Sequence, residues 1–312
     1  MIIALTGGVG GAKLIKGLAA ILPPEELTIV VNTGDDFNYW GLSISPDLDS
    51  VMYKLARINN TTTGWGIVNE TWHTLQAMKH IGAEHWFQIG DQDLATHLER
   101  SRLLQAGKTL SDATQHLCQA LNLKHNLVPM TDESVKTRIH TETESLDFQD
   151  YFVKHQSQPV VKSITYDGAE CAKPSLGFLQ ALMNPQLTGI IICPSNPILS
   201  IAPILALPGI KELILQRHVP VIAISPLMQG QSFKGPAAKI MGELGLDTSV
   251  LSIGKYYQSF LTTLVIDPVD IDYHDALTSL GLSVVTHNII LKTMDDYLSL
   301  AQKALKLTDN HV

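Results

Sequence analysis

Cysteine is scarce: the 312 residues carry three, Cys118, Cys171 and Cys193, standing far apart. An odd, dispersed set excludes a disulfide framework and a CxxC metal knuckle, and a reducing, cytoplasmic setting is expected. Positive charge is short as well, with 22 Lys and Arg against 30 Asp and Glu and a formal charge of −8. No basic run is present to displace the counterions of a nucleic acid, which excludes that class of partner. Long apolar runs are missing: residues 188–210 come nearest to the roughly 20 that span a membrane, but four prolines cut them. The opening MIIALTGGVGG lacks a basic n-region and reads as a first strand, not a signal peptide. With no low-complexity tract, 45% hydrophobic and 17% charged residues favour compact packing.

What is present alternates. Short β-branched runs at 2–6, 27–33, 189–195 and 219–226 read as buried parallel strands. Between the first two, Leu14, Ile15, Leu18 and Ile21 recur at helical spacing before Pro23 and Pro24, which makes a right-handed βαβ unit. A second helix is expected through DLDSVMYKLARI, with Ser45 as N-cap and Pro46 at the first helical position. The expected fold is α/β: a doubly wound, mostly parallel, Rossmann-like sheet with an inserted α+β subdomain. Residues 1–93 and 174–312 would form the nucleotide-binding core. Residues 94–173 would form the insertion, with helices DLATHLERSRLLQAG and SDATQHLCQALNL followed by antiparallel strands in VKTRIHTE and SLDFQDYFVK. The chain would close on strand SVVTHNIIL and helix MDDYLSLAQKALKL.

Gly7, Gly8, Gly10 and Gly11 stand between the first strand and the first helix, where backbone N–H groups and the helix dipole favour an anion such as phosphate. The alternative is a tight turn that needs glycine for its backbone angles. Lys13 occupies the last glycine position of a dinucleotide fingerprint, and a Walker Gly-Lys-Ser/Thr is missing, so neither NAD nor a P-loop nucleotide is favoured. Lys13 either meets a phosphate or snorkels.

The second strand ends in Asn32-Thr33-Gly34-Asp35-Asp36, and the next helix opens with Asp47 and Asp49. In open α/β sheets the carboxyl ends of the strands line the ligand crevice, so these carboxylates are expected near the glycine loop as Mg²⁺ ligands or bases. Singly, each has a plainer reading as a turn residue or a first-turn helix charge. Asp91 and His97 are candidates for the same cleft. Ser195 and Asn196, between Pro194 and Pro197, are placed to contact a nucleotide, and a helix is expected from Ser200. Lys234 to Lys239 offer a further basic approach to an anion. Cys193 reads as a core residue at a strand end.

Six blocks in order, GGVGGAK, VVNTGDDF, SPDLDSVMY, GDQDLATHL, PSNPILSI and SPL followed by KGPAAK, resemble the CofD/FbiA-type phosphoenolpyruvate or 2-phospho-L-lactate transferases of coenzyme F420 biosynthesis. The resemblance covers nearly the whole chain. It implies a transfer in which the ribityl hydroxyl of the deazaflavin Fo attacks the phosphorus of a lactyl, enolpyruvyl or glyceryl guanosine diphosphate donor and GMP leaves. It implies Mg²⁺ held by Asp36, Asp47 and Asp49, with Asp47 and Asp49 catalytic, and a donor nucleotide on the glycine loop, Ser195 and Asn196. Fo would meet Asp49, Gln88 and Asp91, and a homodimer is expected. Gln88 and Gln92 stand where similar chains carry basic residues, which alters charge near Fo or the donor carboxylate. Phosphoryl transfer asks mainly for positioning and positive charge, which suits these residues. The competing reading is a non-catalytic nucleotide-sugar-binding regulator of the gluconeogenesis-factor type; SPDLDS favours the transferase. A Rossmann oxidoreductase fits least, because nothing supplies a hydride-transfer site.

Overall fold

The structure is a computed structural model describing residues 1–232 and 236–309; Lys234 and Gly235 of the KGPAAK block therefore lie outside the described residues. Seven strands form one sheet: β1 (Ile2–Thr6), β2 (Leu27–Val31), β3 (Asn126–Pro129), β4 (Gly189–Ile192), β5 (Val221–Ile224), β6 (Thr263–Ile266) and β7 (Ser283–Thr286). Their order is β7-β6-β5-β4-β1-β2-β3, and every pairing is parallel. That is the Rossmann order 3-2-1-4-5-6 with one strand added. The chain reverses direction between β1 and β4, and this switch point is where such sheets open a crevice.

Alternation of side chains builds both faces from the same strands. Ile3 and Leu5 of β1 join Val30, Ile190, Ile192 and Leu264 in one buried layer. Ile2 and Ala4 join Ile29, Val31, Ile191 and Ile222 in the other. The second layer is covered by α1 (Gly11–Ile21), α2 (Pro46–Ala56) and the C-terminal helix Met294–Asp309. Gly17 lets α1 approach that helix closely, since a side chain there would strike the Tyr297 carbonyl. Helices α3 (His73–His80), α4 (Asp91–Gln105) and α5 (Leu110–Ala120) follow α2.

Several expectations need correction. Within 94–173, β3 pairs with β2, so that stretch belongs to the main sheet; the part with its own pairing is the three-stranded antiparallel sheet of 136–140, 145–147 and 163–167. Strand SLDFQDYFVK stops at Asp147, and Asp150–Lys154 coil into a π-type turn that buries Tyr151 completely. SVVTHNIIL stays extended in the ladder only to Thr286. Helical structure after Pro194 starts at Pro197, before Ser200, because the Asn196 side chain accepts from the amides of Ile198 and Leu199. An antiparallel hairpin, Phe37–Tyr39 against Leu42–Ile44, was not foreseen; Trp40 and Gly41 turn it with φ of 53° and 76°. Among the described residues no single helix is long and apolar enough to cross a membrane. The bent pair Pro197–Leu205 and Ile210–Gln216 meets at 78°.

Candidate active site

Residues 7–11 turn from β1 into α1 beside the loop that leaves β4. Ser195 Oγ accepts from the Gly7 amide at 3.1 Å. A side chain at Gly7 would meet Ser200 and Asp47, at Gly8 Asp47, at Gly10 the Pro194 carbonyl, and at Gly11 Thr6 and Ser195. None of the four has a positive φ. The glycines are thus required by the close approach of neighbouring segments, not by backbone angle. The Gly8 amide bonds to the Asp47 carboxylate, so two of the amides expected to be bare already face protein groups. Lys13 Nζ donates to the Leu291 carbonyl at 2.6 Å, beyond β7.

Asn32, at the end of β2, gathers the acidic residues. Its Nδ2 donates to Asp47 Oδ2 at 3.0 Å and Asp35 Oδ1 at 3.2 Å, and its Oδ1 accepts from the Gly34 amide. Gln149 Nε2, from the segment between the second and third strands of the small antiparallel sheet, donates to the other Asp35 oxygen at 3.1 Å. Ser45 sits at the N-cap of α2, but its hydroxyl makes no capping bond; it donates to Asp36 Oδ2 at 2.6 Å. Asp36 Oδ1 is buried with no hydrogen-bond partner.

Burial, then the charges of Asp47 and Asp36, pushes Asp35 well above the usual carboxylate range. Burial also lifts Asp36 strongly, against the Ser45 bond and the nearby Arg100 charge. Asp47 is raised by burial to about 6, opposed by Asn32 and the Gly8 amide. Desolvation and mutual repulsion make three neighbouring carboxylates costly when ionised, and such an arrangement is characteristic of functional sites.

Asp49, two residues on, has another setting. Arg100 from α4 grips both its oxygens, Nη2 on Oδ1 and Nη1 on Oδ2. The buried residues of α4 are all polar: Asp93, His97, Arg100 and Ser101. His97 Nδ1 lies 3.3 Å from Arg100 Nη1, and its Nε2 lies 3.4 Å from Asp93. A guanidinium can only donate, so Nδ1 is the acceptor in that contact, and Nε2 is buried without a hydrogen-bond partner. Tyr53 of α2 donates to Asp93 at 2.6 Å. The structure therefore brings together Gly7, Gly8, Asp36, Asp47 and Ser195, and turns Asp49 toward α4.

Asp91 is committed elsewhere: it accepts from Thr71 Oγ1 and from the amides of His73 and Thr74, capping α3. Those bonds, the Thr71 hydroxyl first, hold it well below the usual carboxylate range. Glu70 reciprocates by accepting from the amides of Gln92 and Asp93 at the start of α4. Gln92 turns its side chain to the Asn69 carbonyl, and Gln88 is exposed. Cys193 is buried, its thiol pushed up to about 12 by burial, which makes it an unreactive core residue.

Carboxylate oxygens are the hard donors Mg²⁺ prefers, and the unpartnered Asp36 Oδ1 fits that need. Among the described residues no three His, Cys, Asp or Glu side chains are already gathered for a metal. A cation here would keep much of its shell as water or substrate oxygen.

A glycine turn packed against carboxylates at the switch point of a Rossmann-ordered sheet defines a doubly wound α/β protein built to act at that edge. The chain belongs to the CofD family: the model described as 2-phospho-L-lactate transferase CofD matches residues 2–290. A phosphoenolpyruvate transferase of Streptomyces griseus subsp. griseus is 35% identical over 314 residues, covering 99% of this chain and 98% of that one. A 2-phospho-L-lactate transferase of Methanosarcina mazei is 37% identical over 300 residues, covering 96% and 98%. A crystal structure of a UPF0052-family protein from Bacillus halodurans has a TM-score of 0.64 at 16% identity, covering 97% of this chain and 99% of that chain, and shares the fold. The family is one of transferases, and the chain is an enzyme of that class.

Proposed function

We propose that the enzyme moves a lactyl, enolpyruvyl or glyceryl phosphate group from a guanosine diphosphate donor to the ribityl hydroxyl of Fo, releasing GMP, on the route to coenzyme F420. The observation that carries this is Asp47, raised to about 6 and bonded to the Gly8 amide. It puts an acid–base group against the glycine turn. A base with a pKa near neutrality suits removal of the hydroxyl proton as the oxygen attacks phosphorus. The bond from phosphorus to the GMP oxygen breaks, and the turn amides and α1 dipole favour the charge that develops.

Asp36, through its unpartnered Oδ1, would hold Mg²⁺, which when bound neutralises diphosphate charge next to these carboxylates and leaves Asp47 free to act as the base. Ser195 keeps the turn in place through Gly7. Asn196, whose side-chain oxygen caps the following helix, presents its loop to the nucleotide. Relatives of both names match at similar identity, so Fo should be incubated with the three donors together and the products read by mass spectrometry. A precursor bearing one acyl group, GMP release and loss of both on adding EDTA are expected. No product from any donor would refute the reading, and full turnover in EDTA would remove Mg²⁺ from it.

A further inference from the structure

We propose, resting on that reading of the site, that Arg100 is a positioning residue: from beneath the crevice it fixes residues 43–49 and so sets where Asp36 and Asp47 stand. Its side chain is 1% exposed and cannot touch a substrate. Besides Asp49, Arg100 Nη1 reaches the Ser43 carbonyl at 3.4 Å, and the adjacent Ser101 Oγ accepts from the Ser43 amide at 2.8 Å. Helix α4 thereby takes both backbone groups of Ser43 and both carboxylate oxygens of Asp49. Between those anchors lie Ser45, which holds Asp36, and Asp47. The first turn closes the frame, with the Asp49 amide bonded to the Ser45 carbonyl at 3.0 Å.

A buried ion pair is a poor source of stability, because apolar residues of similar volume usually serve as well. What a guanidinium adds is a rigid fork that fixes several acceptors at once. His97 supports it from the same helix face, accepting from Nη1, with Asp93 3.4 Å from its Nε2 and itself held by the Tyr53 hydroxyl.

The test compares wild type, Arg100→Ala and Arg100→Lys in kcat, KM and melting temperature, with and without added guanidinium chloride at millimolar concentration. Loss of positioning predicts a kcat lower by about 10²-fold in Arg100→Ala with donor KM changed by less than about threefold. Guanidinium should recover at least about tenfold of kcat, and Arg100→Lys should fall between. A folded Arg100→Ala with wild-type kcat, or guanidinium that restores melting but not kcat, overturns the proposal. Should Arg100→Ala not fold, Arg100→Lys decides: wild-type kcat overturns, a reduced kcat at unchanged KM supports. If wild type itself fails to use Fo and these donors, the proposed reaction falls instead. Crystal structures of wild type and Arg100→Lys then read the positioning directly, with displaced residues 43–49 in support and an unchanged segment against it.

Discussion

Asp47 and Asp49 occupy the same first turn of α2, yet one faces the glycine turn and the other faces α4. Asp47, with Asp35 and Asp36, is held by neutral donors: Asn32, Gln149, Ser45 and a backbone amide. Asp49 is held by a guanidinium. Residues two apart on a helix point about 200° from each other, so a two-residue step is enough to separate a carboxylate held by neutral donors from one held by a guanidinium. The contrast teaches that charge near a crevice is not evidence of one role. On the proposed reading the paired group belongs to the frame and the raised group to the chemistry, and each side of that division has its own failure mode.

The largest effect should come from Asp36→Asn, which removes the carboxylate with the unpartnered oxygen. Its kcat should drop by about 10²-fold or more with melting unchanged or raised, as steady-state kinetics and calorimetry on one preparation would show. Gly8→Ala pushes a methyl group into Asp47; displacement on the ångström scale should cost about 10-fold or more in kcat/KM, and unaltered kinetics would mean that Asp47 is not aligned by the turn.

A smaller effect is a pH dependence of stability. The folded pKa of Asp47, about 6 against an ordinary 3.8, lies above its unfolded value, so the native state holds the proton more tightly. Stability from this group is fully present below about pH 4 and is lost as pH rises through about 6. Discounted for partial exposure, the change is about 1 kcal/mol, or roughly 2 °C in Tm. Metal-free melts across that range should show a shallower decline in Asp47→Asn than in wild type, the remainder coming from Asp35 and Asp36, which are raised as well. The smallest kinetic effect should belong to Asp91→Ala: a capping carboxylate predicts lower melting with kcat within about twofold, whereas a large kcat loss would return Asp91 to the substrate.

The apolar runs made β1, β2, β4 and β5 legible, because a strand buried on both faces has no polar alternation to obscure it. The glycine turn and the acidic positions were legible too, as residue types at strand ends. Less so was β3: NLVP is only four residues long, and its place in the main sheet depends on pairing with a strand nearly a hundred residues earlier. Arg100 was missed because ERSR reads as a solvated helix face. The available signal was polar spacing, Asp93, His97 and Arg100 on one side of α4, but only packing against α2 shows that side to be buried. Asn32 stands in the sequence only as the start of the strand-end run Asn32 to Asp36, and its hold on two carboxylates appears only when residues 35 and 47 are brought together.

The division between strained and paired carboxylates is tested most directly by Asp47→Asn and Asp49→Asn measured side by side for kcat and thermal stability. Asp47→Asn should lose about 10²-fold or more in kcat while melting at or above wild type. Asp49→Asn should leave Arg100 buried without its counter-charge and lose about 3–5 kcal/mol of stability. The opposite pattern, a stable Asp49→Asn without turnover beside a destabilised Asp47→Asn that still works, would contradict the account and make Asp49 the reacting carboxylate.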